Sequence, residues 1–257
     1  MKNLLLLSLS AIFVISSCRK KEDPVVTNET GKVSFTFENM AGSAPLVLSG
    51  PSDASKDKWY IIESGDSLKI TQYKYYATNF VLHSDSGNYK QPESYYLIDE
   101  SIPQSKQFTI NDVPKRKYTK ISFLIGVDEE RNTSGAQTGA LDVNHGMFWD
   151  WNTGYIMARL EGVSPQSPVP SQTVSLHIAG FQGENSVLRL VTLDLPQPLD
   201  LTDGGLKNIH IKADVLEWFK TPNEIKISEI FVVASVGQDA VKIANNYSDM
   251  FKIDHID

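Results

Sequence analysis

Cysteine is nearly missing from this chain of 257 residues: Cys18 is the single thiol. That count excludes a disulfide framework and a thiolate zinc site. Histidine is sparse too, with five residues, so a bound metal must draw on these imidazoles, on carboxylates, on methionine or on modified side chains. The signatures of several enzyme classes are missing. There is no Gly-x-Ser-x-Gly elbow, no His-Glu-x-x-His helix and no Gly-rich phosphate loop after a strand. Paired carboxylates such as Asp128 and Glu130 lack any sequence feature that would give them the contrasting environments of an acid and a base. The chain therefore reads as a binding protein and not an enzyme. Basic residues are outnumbered, 24 Lys and Arg against 31 Asp and Glu, which argues against nucleic acid and anionic membrane surfaces as partners.

What is present begins with Lys2, an apolar run over residues 4–15 broken only by Ser8 and Ser10, and the small residues Ser16 and Ser17 before Cys18. The run is too short to span a bilayer comfortably and reads as the h-region of a secretory signal covering residues 1–17. Ile15-Ser16-Ser17-Cys18 resembles a lipobox, which implies cleavage before Cys18 and acylation of its sulfur, leaving no catalytic thiol. Each buried methylene of such an anchor contributes about 0.8 kcal/mol, enough in sum to hold the protein on a membrane permanently. Arg19 follows, not aspartate, and the likeness to bacterial lipoproteins then implies the outer membrane, on its periplasmic or cell-surface face. Losing Lys2 with the signal moves the formal charge of -7 one unit further negative. Residues 18–30 are charged and polar and read as a flexible tether. Residues 31–257 read as one domain.

Within that domain, alternation of period two predicts strands at 33–37, 67–83, 95–99, 107–110, 118–127, 154–160, 174–181, 187–195, 207–215 and 226–236. Such a succession predicts an antiparallel β-sandwich of immunoglobulin-like or Greek-key type. After Asp239 the period changes: Ala240, Val241, Ala244, Tyr247 and Phe251 recur at helical spacing, predicting a short C-terminal helix that caps the sheet.

The chemistry concentrates in residues 139–162. If 145–151 is extended, His145, Met147, Trp149 and Trp151 share one face, where an imidazole and a thioether suit soft Cu(I). The plainer reading makes the tryptophans core and His145 a satisfied loop histidine. His177 shares a face with Ser175 and Ala179, opposite apolar Leu176 and Ile178, so it is free to line a cleft. His210 lies on a polar strand face and reads as solvated, His83 ends a strand and His255 falls in the tail; none of the three reads as a metal ligand. A second constellation, Asp128-Glu129-Glu130-Arg131-Asn132 with Asp142, Asn144 and Asp150, has the oxygen ligands of a calcium loop without EF-hand spacing, and loop solvation explains it more simply.

The block Met147-Phe148-Trp149-Asp150-Trp151-Asn152-Thr153-Gly154-Tyr155, continuing to Leu160-Glu161-Gly162, resembles the signature of the MbnP-like copper-binding domain family. Tyr73-Lys74-Tyr75-Tyr76-Ala77-Thr78-Asn79-Phe80 before it, Phe123-Leu124-Ile125-Gly126-Val127-Asp128 next, and Leu176-His177-Ile178-Ala179-Gly180 after it fall in the expected order. The resemblance implies an extracytoplasmic copper protein of sandwich type. It also implies oxidation of a tryptophan, Trp149 or Trp151, to kynurenine by a MauG-type dihaem enzyme, with the kynurenine amine and histidines around the metal. His177 matches the family's histidine strand; His145 has a less secure counterpart. A different reading makes Trp149, Trp151 and Tyr155 a stacking platform of a surface glycan-binding or adhesion lipoprotein.

Overall fold

The computed structural model describes residues 29–50, 57–149 and 154–257, so the signal, Cys18, Asp150 and Trp151 lie outside the described residues. In chain order the strands are β1 (Thr30–Ala41), β2 (Ala44–Pro45), β3 (Tyr60–Ile61), β4 (Ser67–His83), β5 (Tyr89–Lys90), β6 (Tyr95–Asp99), β7 (Gln107–Pro114), β8 (Lys117–Ile125), β9 (Ile156–Val163), β10 (Thr173–Ala179), β11 (Arg189–Asp200), β12 (Leu206–Asp214), β13 (Val232–Val233) and β14 (Phe251–Ile256). Two short α-helices, α1 (Glu129–Thr133) and α2 (Gln238–Tyr247), interrupt them.

Among the described residues the strands make two sheets. One runs β14-β12-β1-β2, with β7 also on β1; the other runs β11-β8-β4-β9-β10-β13, with β3, β5 and β6 on β4. Alternation decides which side chains lie between them. Phe35 and Phe37 of β1 point inward, where Phe37 meets Tyr75 of β4, Phe123 of β8 and Phe251 of β14, and Phe35 meets Phe80 of β4. Each fully buried ring of this kind contributes about 2–3 kcal/mol of transfer free energy. The expected sandwich is thus formed.

Three details differ from the sequence expectation. β1 pairs with β12 in parallel, as β10 does with β13, so the sheets are mixed. Parallel pairing joins segments far apart in sequence and leaves no local signal. Of the segment 226–236 only Val232–Val233 is strand, because 226–230 closes turns onto the Lys226 carbonyl. Finally, α2 is not the last element. It buries Ala240, Ile243, Ala244 and Tyr247 at helical spacing against Trp218, and the chain then returns as β14. Phe251, placed on the helix by its spacing, is a strand residue in the aromatic core. Among the described residues no helix is long and apolar enough to cross a membrane.

Candidate functional site

β4, β9 and β10 lie side by side, and the register puts His177 opposite Arg159 and Arg159 opposite Lys74; β6 adds Asp99 opposite Lys74. These four residues form a polar row across the outer face of the sheet, at about 5 Å per strand. Their apolar neighbours Ala158, Leu160, Leu176 and Ile178 point into the core.

Each member of the row is held. Lys74 Nζ pairs with Asp99 Oδ2 at 2.9 Å and donates to the His145 carbonyl at 3.4 Å. Arg159 donates to Glu161 Oε1 through Nη2 (2.6 Å) and Nε (3.1 Å), and to the Gly146 carbonyl through Nη1 (2.6 Å). His177 Nε2 lies 2.8 Å from Glu161 Oε1 and 3.3 Å from Ser175 Oγ. Burial lowers the His177 pKa; the Glu161 hydrogen bond opposes this without reversing it, so the ring is neutral at neutral pH. The same burial raises the Glu161 carboxyl, but hydrogen bonds from Arg159 and His177 outweigh it and the net shift is downward. Nε2 of His177 therefore donates to the carboxylate, and Nδ1 keeps its lone pair, the protonation state a metal ligand requires.

The loop containing the tryptophan block rests on this row. Residues Val143–His145 form a 3-10 turn capped by Asp142, whose side chain accepts from Asn144 N. Gly146 ends the turn at φ +69°, with its position 3.3 Å from Arg159 Nη1 for any added Cβ. The chain then extends: Phe148 bridges Tyr155, and Ile156 N donates to the Met147 carbonyl at 2.8 Å. Met147 (0% exposed) and Trp149 (2%) are both buried, as like parity requires. His145 does not share their face. It stands before the turn's end, is exposed, and its Nε2 lies 3.0 Å from the Gly139 carbonyl, because the 3-10 turn and Gly146 break the alternation.

Tyr155 anchors the loop from below. Its N–H donates to Asn132 Oδ1 (2.8 Å), its hydroxyl to the Leu141 carbonyl (2.8 Å), and its ring packs edge-on against Tyr76. Arg159 and Glu161 thus link His177 to the Gly146 carbonyl, and Lys74 reaches that of His145, whereas the side chains of Met147 and Trp149 belong to the hydrophobic core. Arg159 carries no mark of its own in the sequence and Glu161 stands only at the end of the tryptophan-block signature, although their parity in a strand paired with that of His177 carries the signal. Burial of Trp149 and Tyr155 removes both from a glycan-stacking platform, since a sugar cannot reach a covered ring.

The acidic loop has a structural task. Asp128 caps α1 by accepting from Arg131 N (3.1 Å), and also accepts from Asn79 Nδ2 (2.8 Å) and Tyr95 Oη (2.6 Å). With these bonds made, and no three carboxylates or imidazoles of that loop converging among the described residues, a calcium site finds no support there. His83 bonds Ser122 Oγ at 2.8 Å.

Fold and site define a two-sheet β-sandwich protein with a tryptophan-bearing loop roofing a histidine-containing polar row. The chain belongs to the MbnP family, whose model matches residues 30–240. Its fold is similar to that of MbnP from Methylosinus trichosporium, with a TM-score of 0.54 over 87% of this chain and 98% of that chain, at 14% identity. A comparison with curated proteins gives no match.

Proposed function

We propose that this chain is an extracytoplasmic copper-binding protein, not an enzyme, tethered to the outer membrane by a lipid on Cys18. The observation that carries the reading is the link from His177 through Glu161 and Arg159 to the Gly146 carbonyl, immediately before the tryptophan block, in a chain of the MbnP family. The donor chemistry fits in kind. His177 offers a neutral imidazole whose orientation Glu161 fixes, Met147 a soft thioether, and His145 a second imidazole once its ring leaves the Gly139 carbonyl. Among the described residues these imidazoles and carboxylates do not form a three-donor cluster, so the site needs a further ligand. Opening the indole of Trp149 or Trp151 supplies one. A four-electron oxidation, with a MauG-type dihaem partner taking up the electrons, breaks the C2–C3 bond and places one water-derived oxygen on each carbon; hydrolysis of the resulting formamide releases formate and leaves an aromatic amine.

The test is copper titration of protein made with and without such a partner, alongside mass analysis for one carbon lost and one oxygen gained. Modified wild type should bind copper at least about ten-fold more tightly than His177→Ala or Glu161→Gln. Equal affinity in wild type, His177→Ala, Trp149→Phe and Trp151→Phe would remove the site. The anchor is tested separately: Cys18→Ser should leave the membrane fraction, and its persistence there in mature acylated form would refute the tether.

A further inference from the structure

A second histidine cluster lies on the other sheet, away from the polar row. β12 and β14 pair antiparallel, with His210 opposite His255; the register shifts between His210 and Ile211, so that Asp254 is the extra residue of a bulge. The bulge turns His255 onto the face of His210, and the two rings stack nearly parallel, 14° apart in plane, with centroids 3.9 Å apart. Asp257 joins them: its backbone exchanges hydrogen bonds with Asn208, and its Oδ1 lies 3.6 Å from His210 Nε2. A ring nitrogen of each histidine and a carboxylate oxygen of Asp257 lie within 4.8 Å of one another, the one such convergence among the described residues.

The surroundings set the tautomers for ligation. Asn208 Oδ1 accepts from Thr36 Oγ1 (3.2 Å), which aims Asn208 Nδ2 at His210 Nε2, 2.7 Å away. Nε2 of His210 thus holds the lone pair, while its buried Nδ1 has no hydrogen-bond partner among the described residues and faces Glu38 Oε1 at 3.5 Å. His255 Nδ1 donates to Asp254 Oδ2 at 2.8 Å, leaving its Nε2 lone pair free. His255 therefore has a carboxylate hydrogen-bonded behind Nδ1, the arrangement that orients metal-ligating histidines, and Glu38 lies within ion-pair distance of His210 Nδ1. Glu38, Asp254 and Asp257 surround the pair, and of the nearby cations Lys212 is engaged with Asp254 at 2.6 Å. The local charge favours a cation.

We propose that His210, His255 and Asp257 form a binding site for a divalent first-row ion of imidazole preference, Zn(II) in the first instance, which clips the edge strand β14 to β12. Two imidazoles and one carboxylate with an open fourth position suit Zn(II), and Cu(II) competes for the same set. Ligand bonds of about 2.0–2.1 Å place donors about 3.3 Å apart around a tetrahedral ion, so the cluster must tighten. It can do so by side-chain rotation, because His255 and Asp257 are half to two-thirds exposed. An incoming ion takes the lone pair that Asn208 now uses, and the amide turns away.

Untagged full-length protein is titrated calorimetrically with Zn(II), and its melting followed with and without the ion. Wild type and His177→Ala should each bind one Zn(II) and melt higher in its presence. His255→Ala, a change at an exposed ring that leaves the core intact, should bind at least about ten-fold more weakly and lose the upward shift. Asp257→Asn should weaken binding less. Absence of Zn(II) binding to wild type, undiminished binding by His255→Ala, or loss of binding in His177→Ala alone would each overturn the proposal. Since His177 is the variant that probes the copper reading, failure of one site is distinguishable from failure of the other.

Discussion

Gly162→Ala is expected to destabilise the domain by about 3 kcal/mol or more and to lower its melting temperature by roughly 6–12 °C. Gly162 lies in β9 between Ile70 of β4 and Val174 of β10, and a Cβ at this position would sit 2.0 Å from the Lys69 carbonyl oxygen. That oxygen belongs to backbone in a paired strand, so it cannot swing aside as a side chain would. Relief requires β4 and β9 to separate where the β4 register already shifts between Ile70 and Gln72. The damage reaches the site, because Glu161 is the preceding residue and holds both Arg159 and His177. Thermal melts of Gly162→Ala and Gly237→Ala make the comparison. A Cβ on Gly237 meets nothing within 4 Å, so that variant should stay within about 1 kcal/mol of wild type. Melting of Gly162→Ala within about 2 °C of wild type would show that the close approach is not a constraint.

Asp128→Ala is expected to cost about 2–4 kcal/mol, from loss of the α1 cap and of the acceptor for both Asn79 and Tyr95. Asn79 is held at φ +56°, and its bond to Asp128 helps keep that conformation. A pH signature separates this role from mere packing. Burial raises the Asp128 pKa, but the hydrogen bonds from Tyr95 and Asn79 outweigh it, and the folded value lies below the ordinary carboxylate range. Tyr95 is pushed the other way, to about 12, by burial and by the carboxylate that accepts its proton. A depressed folded pKa means that the stability Asp128 contributes is complete above about pH 4, where both states are ionised. It is lost as pH falls further, because the unfolded chain takes the proton first. Stability measured between pH 7 and pH 3 should therefore fall less steeply for Asp128→Asn than for wild type. Parallel curves would assign the carboxylate no part in it.

Local pattern made much of this fold legible. Val33, Phe35 and Phe37 alternate with polar residues, and each proves to be buried; Ala240, Ala244 and Tyr247 keep helical spacing, and each lies on the buried side of α2. Local pattern also misled. Phe251 continues the helical spacing, yet the chain has already turned back into a strand, because Phe37, Tyr75 and Phe123 together offer that ring a better burial than one more turn of helix would. His145 fits the parity of Met147 and Trp149 on paper, but a 3-10 turn ending at a left-handed glycine takes it off their face.

The sequence by itself determined the sandwich class, the family and the segment that carries the tryptophans, because alternation, turn residues and a contiguous block are properties of neighbours along the chain. Tertiary structure decided which distant residues act together. Registers across β10, β9, β4 and β6 align His177, Arg159, Lys74 and Asp99, and a bulge at Asp254 lays His255 on His210. Both alignments depend on strand order and on single-residue shifts in pairing, and a one-residue slip would send every one of those side chains to the opposite face.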